Sequence, residues 1–298
     1  MRTLVVLCAL TLTVSLPARA GDLAPEEPVR VQRGVAYVEG GAGALQSLDV
    51  YAPSEAPARA RPVIVFVHGG GWRLGDKRSA VRAGEYFAGQ GFVFLSVNYR
   101  LSPAVTHPAH VGDVVAALAW ARANGAGLGG DPERLVVMGH SAGAHLAALA
   151  ALDAQRLKAV GLTPAAVAGV VLLDGAGYDI PRQIDELGSG FDRRLYEAAF
   201  GEDRETWRDA SPLTHVRPEA ASAAYLILHV GRRAARIQAE AFGAALVAAG
   251  GRAEVVEAAG KTHRTINREL GQADDEVTAR VLAFLKALDP TASVPRGR

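Results

Sequence analysis

RLVVMGHSAGAHLAALAAL, residues 134–152, joins an apolar, strand-like run to an Ala/Leu-rich helical run through one serine flanked by glycines. Arg134 to Met138 read as a strand and residues 142–152 as a helix. Gly139-His140-Ser141-Ala142-Gly143 therefore sits on a strand-to-helix turn, the context that a G-x-S-x-G nucleophile elbow requires. So tight a turn strains the serine backbone and pushes its hydroxyl out above the sheet. Side chains two residues to either side would collide, and glycines at 139 and 143 relieve that crowding. The N–H of Ala142, at the helix start, then faces the place where an oxyanion forms. Five-residue motifs recur by chance; the flanking strand and helix make this one specific.

Upstream, the continuous β-rich run Val63 to Val67 leads directly into His68-Gly69-Gly70-Gly71-Trp72. Three glycines let backbone N–H groups approach a substrate closely, so Gly70 and Gly71 are the natural partners of Ala142 in an oxyanion hole. A plain flexible turn is the structural alternative; a phosphate-binding loop would need a following Lys-Ser/Thr, which is absent. His68 reads as a brace for this loop. Downstream, His263 in Gly260-Lys261-Thr262-His263 follows the run Val255-Val256 and precedes the last helical pattern. That position lets a base reach Ser141 from a loop at the same sheet edge. His107, His110, His140, His145, His215 and His229 have no such placement and read as ordinary core or surface residues.

Between these segments, strand-like runs at Phe92 to Val97, Val167 to Leu173 and Tyr225 to Val230 alternate with helical patterns at 79–89, 109–123, 234–249 and 274–288. This is the signature of an α/β fold, a mostly parallel sheet with helices on both faces. Residues 176–216 break the rhythm. They are charged and aromatic without a buried strand, and read as an insertion over the sheet's carboxyl edge, where such folds bind ligands. Val35 to Val38 and Leu45 to Tyr51 read as a hairpin opening a domain over 34–288. Residues 21–33 read as a tether and 289–298 as a polar tail.

Residues 1–20 have a positive start at Arg2, an apolar run from Leu4 to Leu16 and Ala18-Arg19-Ala20 as a small-x-small cleavage site. That is the pattern of a secretory signal peptide and predicts a periplasmic or secreted protein. The run is short for a membrane span, so no stable membrane insertion is expected after cleavage. Removing Arg2 and Arg19 from the 32 basic residues leaves one fewer than the 31 acidic ones. So balanced a chain gives no reason to expect nucleic acid as a partner. The only cysteine, Cys8, lies in that segment, so the mature chain has no disulfide, thiol nucleophile or thiolate metal site. With 49% hydrophobic residues, stability is expected from core burial. Oligomeric state has no signal here.

Together the elbow, the HGGGW loop and the late histidine resemble the α/β-hydrolase superfamily. Within it they are similar to hormone-sensitive-lipase-like and acetyl-xylan-type carboxylesterases, a resemblance also carried by Asn98 to Pro103 and His107 to His110. The form GHSAGAHL is similar to kynurenine formamidases as well. The resemblance covers about residues 34–288. It implies acyl transfer from a small ester to water through an acyl-enzyme on Ser141, with His263 as base and no metal or cofactor. An arylformamidase would use the same machinery on an N-formyl amide.

One element departs from the family. The resemblance expects a carboxylate after Tyr225 to Val230, but Gly231 to Ile237 holds three arginines and no acid, and Glu240 lies inside the next helix. Asp174, and after it Asp179, follow the strand ending at Leu173 and are the substitutes. Asp174 is either the acid that orients His263 or a carboxylate that only holds its loop. Without any acid, the chain reads as a hydrolase-like binding protein with impaired turnover.

Overall fold

Val63, Val65 and Val67 point to one face of the sheet while Ile64 and Phe66 point to the other, and both sets are fully buried. Leu135 and Val137 against Val136 and Met138 repeat the alternation in a neighbouring strand. Strands this apolar on both sides need cover on both sides, and helices supply it. The computed structural model describes residues 28–55 and 59–288. The expected signal peptide, residues 21–27 of the tether and the polar tail lie outside these residues.

The sheet has eight strands: β1 (Val29–Ala36), β2 (Ser47–Pro53), β3 (Arg61–Val67), β4 (Val93–Val97), β5 (Gly130–His140), β6 (Val167–Leu173), β7 (Ala224–His229) and β8 (Arg252–Glu257). Their order is β1-β2-β4-β3-β5-β6-β7-β8. The pairs β1–β2 and β2–β4 are antiparallel, and the rest of the sheet is parallel. Helices α1 (Val81–Gly89), α2 (Ala109–Asn124), α3 (Ala142–Leu152) and α4 (Ala154–Ala159) belong to the first half. Then come α5 (Ile180–Leu187), α6 (Phe191–Phe200), α7 (Arg204–Asp209), α8 (Arg233–Ala248), α9 (Thr265–Arg268) and α10 (Glu276–Ala287). Side chains of α2, α3 and α8 pack on one face; those of α1, α9 and α10 pack on the other.

The chain runs outward from β3 to β4 and returns across β3 to β5. Between β3 and β5 the order reverses, and the carboxyl ends of these two strands are where an open α/β sheet leaves a crevice. The insertion is helical, made of α5, α6, α7 and a short 3₁₀ turn.

One element differs from the sequence reading. Residues 29–33, expected as tether, are strand: β1 starts at Val29 and pairs with β2 as an edge. Most of β1 is solvent-exposed, so it has little apolar patterning to betray it. Helix α8 starts at Arg233, one residue before the helical pattern expected over 234–249, so Arg233 and Arg236 lie in its first turns.

Candidate active site

β5 ends at His140 and α3 begins at Ala142, so Ser141 alone turns the chain, at φ 55° and ψ −121°. A side chain held there costs about 1–3 kcal/mol and persists only where its surroundings over-determine it. They do here. All of α3 is buried, and the Ser141 N–H donates to the Leu173 carbonyl at 3.0 Å. A Cβ at Gly139 would collide with the Gly143 carbonyl, and one at Gly143 with the Val67 carbonyl.

The structure brings Ser141, His263 and Asp174 together. Ser141 Oγ lies 3.0 Å from His263 Nε2, and His263 Nδ1 lies 2.6 Å from Asp174 Oδ2. Asp174 is fully buried just past β6, with φ 45° and its own N–H donating to the Leu228 carbonyl. Its Oδ1 accepts from the Val230 N–H at 3.2 Å. Its Oδ2 also accepts from Arg232, at 3.0 Å from Nε and 2.8 Å from Nη2. Burial works to raise the Asp174 pKa, but the His263 hydrogen bond, the Arg232 charge and the Val230 N–H together hold it below the ordinary carboxylate value. The carboxylate is therefore ionised throughout the neutral range and binds its loop as well as facing the imidazole.

Arg232 Nη2 also lies 3.2 Å from His263 Nδ1. Arginine only donates. Nδ1 cannot accept from it while donating to Asp174, and the shorter contact to a charged acceptor decides the tautomer. Nδ1 carries the proton, and Nε2 has its lone pair toward Ser141. The other acidic candidates lie elsewhere. Asp179 caps α5, accepting from the Arg182 N–H at 3.2 Å, and Glu240 pairs with Arg236 at 2.9 Å.

The glycine loop carries positive φ at Gly70 (125°), Gly71 (59°) and Trp72 (58°), and Gly70, Gly71 and Ala142 line one cavity with Ser141. Ala142 is the first residue of α3, so its N–H has no partner within the helix. His68 braces the loop from beneath: it is buried, stacks on Tyr99 at 4.5 Å between ring centres, and its Nδ1 lies 2.8 Å from the Gly69 carbonyl oxygen.

Three further residues have structural jobs here. His145 accepts from Trp72 Nε1 at 3.3 Å and donates from Nε2 to the Ala210 carbonyl at 2.7 Å, tying the glycine loop to α3 and the insertion. His140 donates from Nε2 to the His263 carbonyl at 2.7 Å, fixing the loop that carries His263. Arg232 clamps Asp174. Of these, the one-turn spacing of His145 from Ser141 and the arginine-rich stretch 231–237 are legible in the sequence.

Desolvation pushes the pKa of His145 down to about 3 and those of His140 and His110 down to about 4. Contacts with neighbouring histidines add to the shift. The folded state therefore binds fewer protons than the unfolded chain at pH values between these and the ordinary histidine value. Stability therefore falls as pH falls through that window. Thermal melting from pH 7.5 to 4.5 is expected to show a steep acid-side drop in Tm. A flat profile would mean these rings are hydrated.

The cavity measures about 620 Å³. Leu187, Leu195 and Tyr196 of the insertion form an apolar wall, while Arg232, Arg264 and Asp192 bring charge to it. Tyr196 and Phe200 pack edge-on to Trp72, at 5.0 and 4.8 Å between ring centres. The insertion is thus docked on the glycine loop. Chemically, the arrangement offers a hydroxyl, a base oriented by an ionised carboxylate, and backbone donors around one space.

Comparison with known proteins gives the same architecture. The BD-FAE family model matches residues 48–235. Esterase LipQ of Mycobacterium tuberculosis is 34% identical over 224 residues, covering 71% of this chain and 52% of that protein. The chain spans about half the length, or less, of the first curated relatives it matches. The crystal structure of Esterase B from Lactobacillus rhamnosis superposes with a TM-score of 0.72 at 22% identity, covering 91% of this chain and 89% of that one. The butyrate-bound esterase Est2 of Thermogutta terrifontis gives 0.66 at 26% identity, covering 91% and 97%. This chain, with its α/β-hydrolase fold, belongs to the BD-FAE family.

Proposed function

We propose that the protein is an exported serine hydrolase that cleaves small carboxylic esters. The observation that carries this reading is the continuous chain of contacts from Ser141 through His263 to the buried Asp174. His263 Nε2 takes the Ser141 proton as Oγ attacks the ester carbonyl, and the N–H groups of Gly70, Gly71 and Ala142 hold the oxyanion. The imidazolium, stabilised by Asp174, gives its proton to the leaving alcohol. Water then repeats the cycle on the acyl-enzyme, releasing the acid and restoring Ser141. The Asp174 contact favours turnover over a hydrolase-like binding protein, whose motivation was an unpaired His263.

The esterase names of the relatives support the substrate class, and the butyrate in the Thermogutta terrifontis protein supports a short acyl group. Here Leu195 lies against Gly71, and Trp72 and Tyr196 line the same cavity. A chain-length series of p-nitrophenyl esters is expected to give kcat/KM for acetate to butyrate at least tenfold above that for chains of lipid length. A preference for the long chains, or no hydrolysis at all, would overturn the reading.

Export rests on the sequence of residues 1–20. N-terminal sequencing of protein recovered outside the cytoplasm is expected to begin at or near Gly21. An intact Met1 on protein found only in the cytoplasm would refute it.

A further inference from the structure

We propose that the alcohol part of the ester carries a carboxylate, which Arg232 and Arg264 bind beside His263. The inference rests on the esterase reading and names the substrate class of that site.

Arg232 is built for a second partner. Its Nε and Nη2 are committed to the buried Asp174, while Nη1 has no hydrogen-bond partner among the described residues. The side chain is 49% exposed and lines the cavity. A guanidinium pinned along one edge has already lost most of its rotamer freedom, so the free edge binds an anion at little further entropic cost. Arg264 directly follows His263, is exposed, lines the same cavity and has no ion-pair partner among the described residues. Two guanidinium groups thus line the cavity that the imidazole also lines. The other carboxylate on this cavity is Asp192 of α6, which opposes the effect.

The mechanism says which part of the substrate they meet. The carbonyl oxygen belongs to the Gly70, Gly71 and Ala142 side, where Leu195 packs against Gly71. The leaving oxygen must lie at His263 Nε2 to receive its proton. Arg232 and Arg264 line the same cavity as His263, so the anion they hold is placed on the alcohol part. A charge-assisted contact to a carboxylate there is strong enough to discriminate an anionic alcohol from its neutral analogue by tenfold or more.

The test compares 3-acetoxybenzoate with its methyl ester. Wild type is expected to show a KM at least tenfold lower for the anionic ester. Arg264→Gln and Arg232→Met should each shrink that ratio, and Asp192→Asn should enlarge it. Arg232→Met also disturbs Asp174 and slows both esters, so the ratio between them is the quantity read. Independently of turnover, Ser141→Ala should bind 3-hydroxybenzoate at least tenfold more tightly than methyl 3-hydroxybenzoate by calorimetry. A ratio at or below one in either assay, or one unmoved by both arginine variants, overturns the proposal. Binding preference retained without hydrolysis of either ester would leave the anion site standing and sink the esterase reading instead.

Discussion

Asp174→Asn is expected to lower kcat about ten-thousandfold with little change in KM. The carboxylate does two things for His263 that an amide cannot. Accepting from Nδ1 at 2.6 Å, it holds the tautomer in which Nε2 is free to take the Ser141 proton. Ionised and buried, it also stabilises the imidazolium that forms when the proton moves. Asparagine keeps the shape but presents either a neutral oxygen or an N–H to Nδ1, and the second choice inverts the tautomer. Arg232 sharpens the effect, because its guanidinium is left beside His263 without a counter-charge. Steady-state kinetics on a short-chain ester read the change, with thermal melting to show that the variant is folded. A folded Asp174→Asn enzyme within tenfold of wild type would remove Asp174 from the mechanism.

Ser141→Ala is expected to cost more, about a millionfold in kcat, because without Oγ no acyl-enzyme forms and the His263–Asp174 pair has nothing to activate. The oxyanion donors and cavity remain, so substrate binding should survive. Relief of the Ser141 backbone strain is not expected, since alanine must occupy the same φ of 55°. Turnover within a hundredfold of wild type would place the reacting group elsewhere.

Much of this was legible in the sequence because it depends on local rules. The elbow needed a strand, a small residue on each side of Ser141 and a helix, all within nineteen residues. The parallel sheet announced itself through runs such as Val63 to Val67, apolar at every position because both faces are covered. His263 followed from its place after the last strand. Asp174 was harder, because its role depends on two carboxyl strand ends, those of β6 and β7, lying side by side. No spacing in the chain encodes a contact across 89 positions. The arginines at 232 and 233 were visible as a departure. That one of them clamps the acid was not, since this required knowing that the acid had moved to the neighbouring strand. β1 escaped notice for the opposite reason: an exposed edge strand needs no apolar face. The buried rings of His140 and His145 resemble any other histidine in sequence, and only burial reveals them as struts.

The most direct test of the account is covalent labelling with a fluorophosphonate probe, followed by peptide mapping. The predicted result is one adduct per chain on the peptide carrying Ser141, absent from Ser141→Ala and formed far more slowly by Asp174→Asn. A wild-type protein that stays unlabelled, or an adduct that persists in Ser141→Ala, would contradict the assignment of Ser141 as nucleophile.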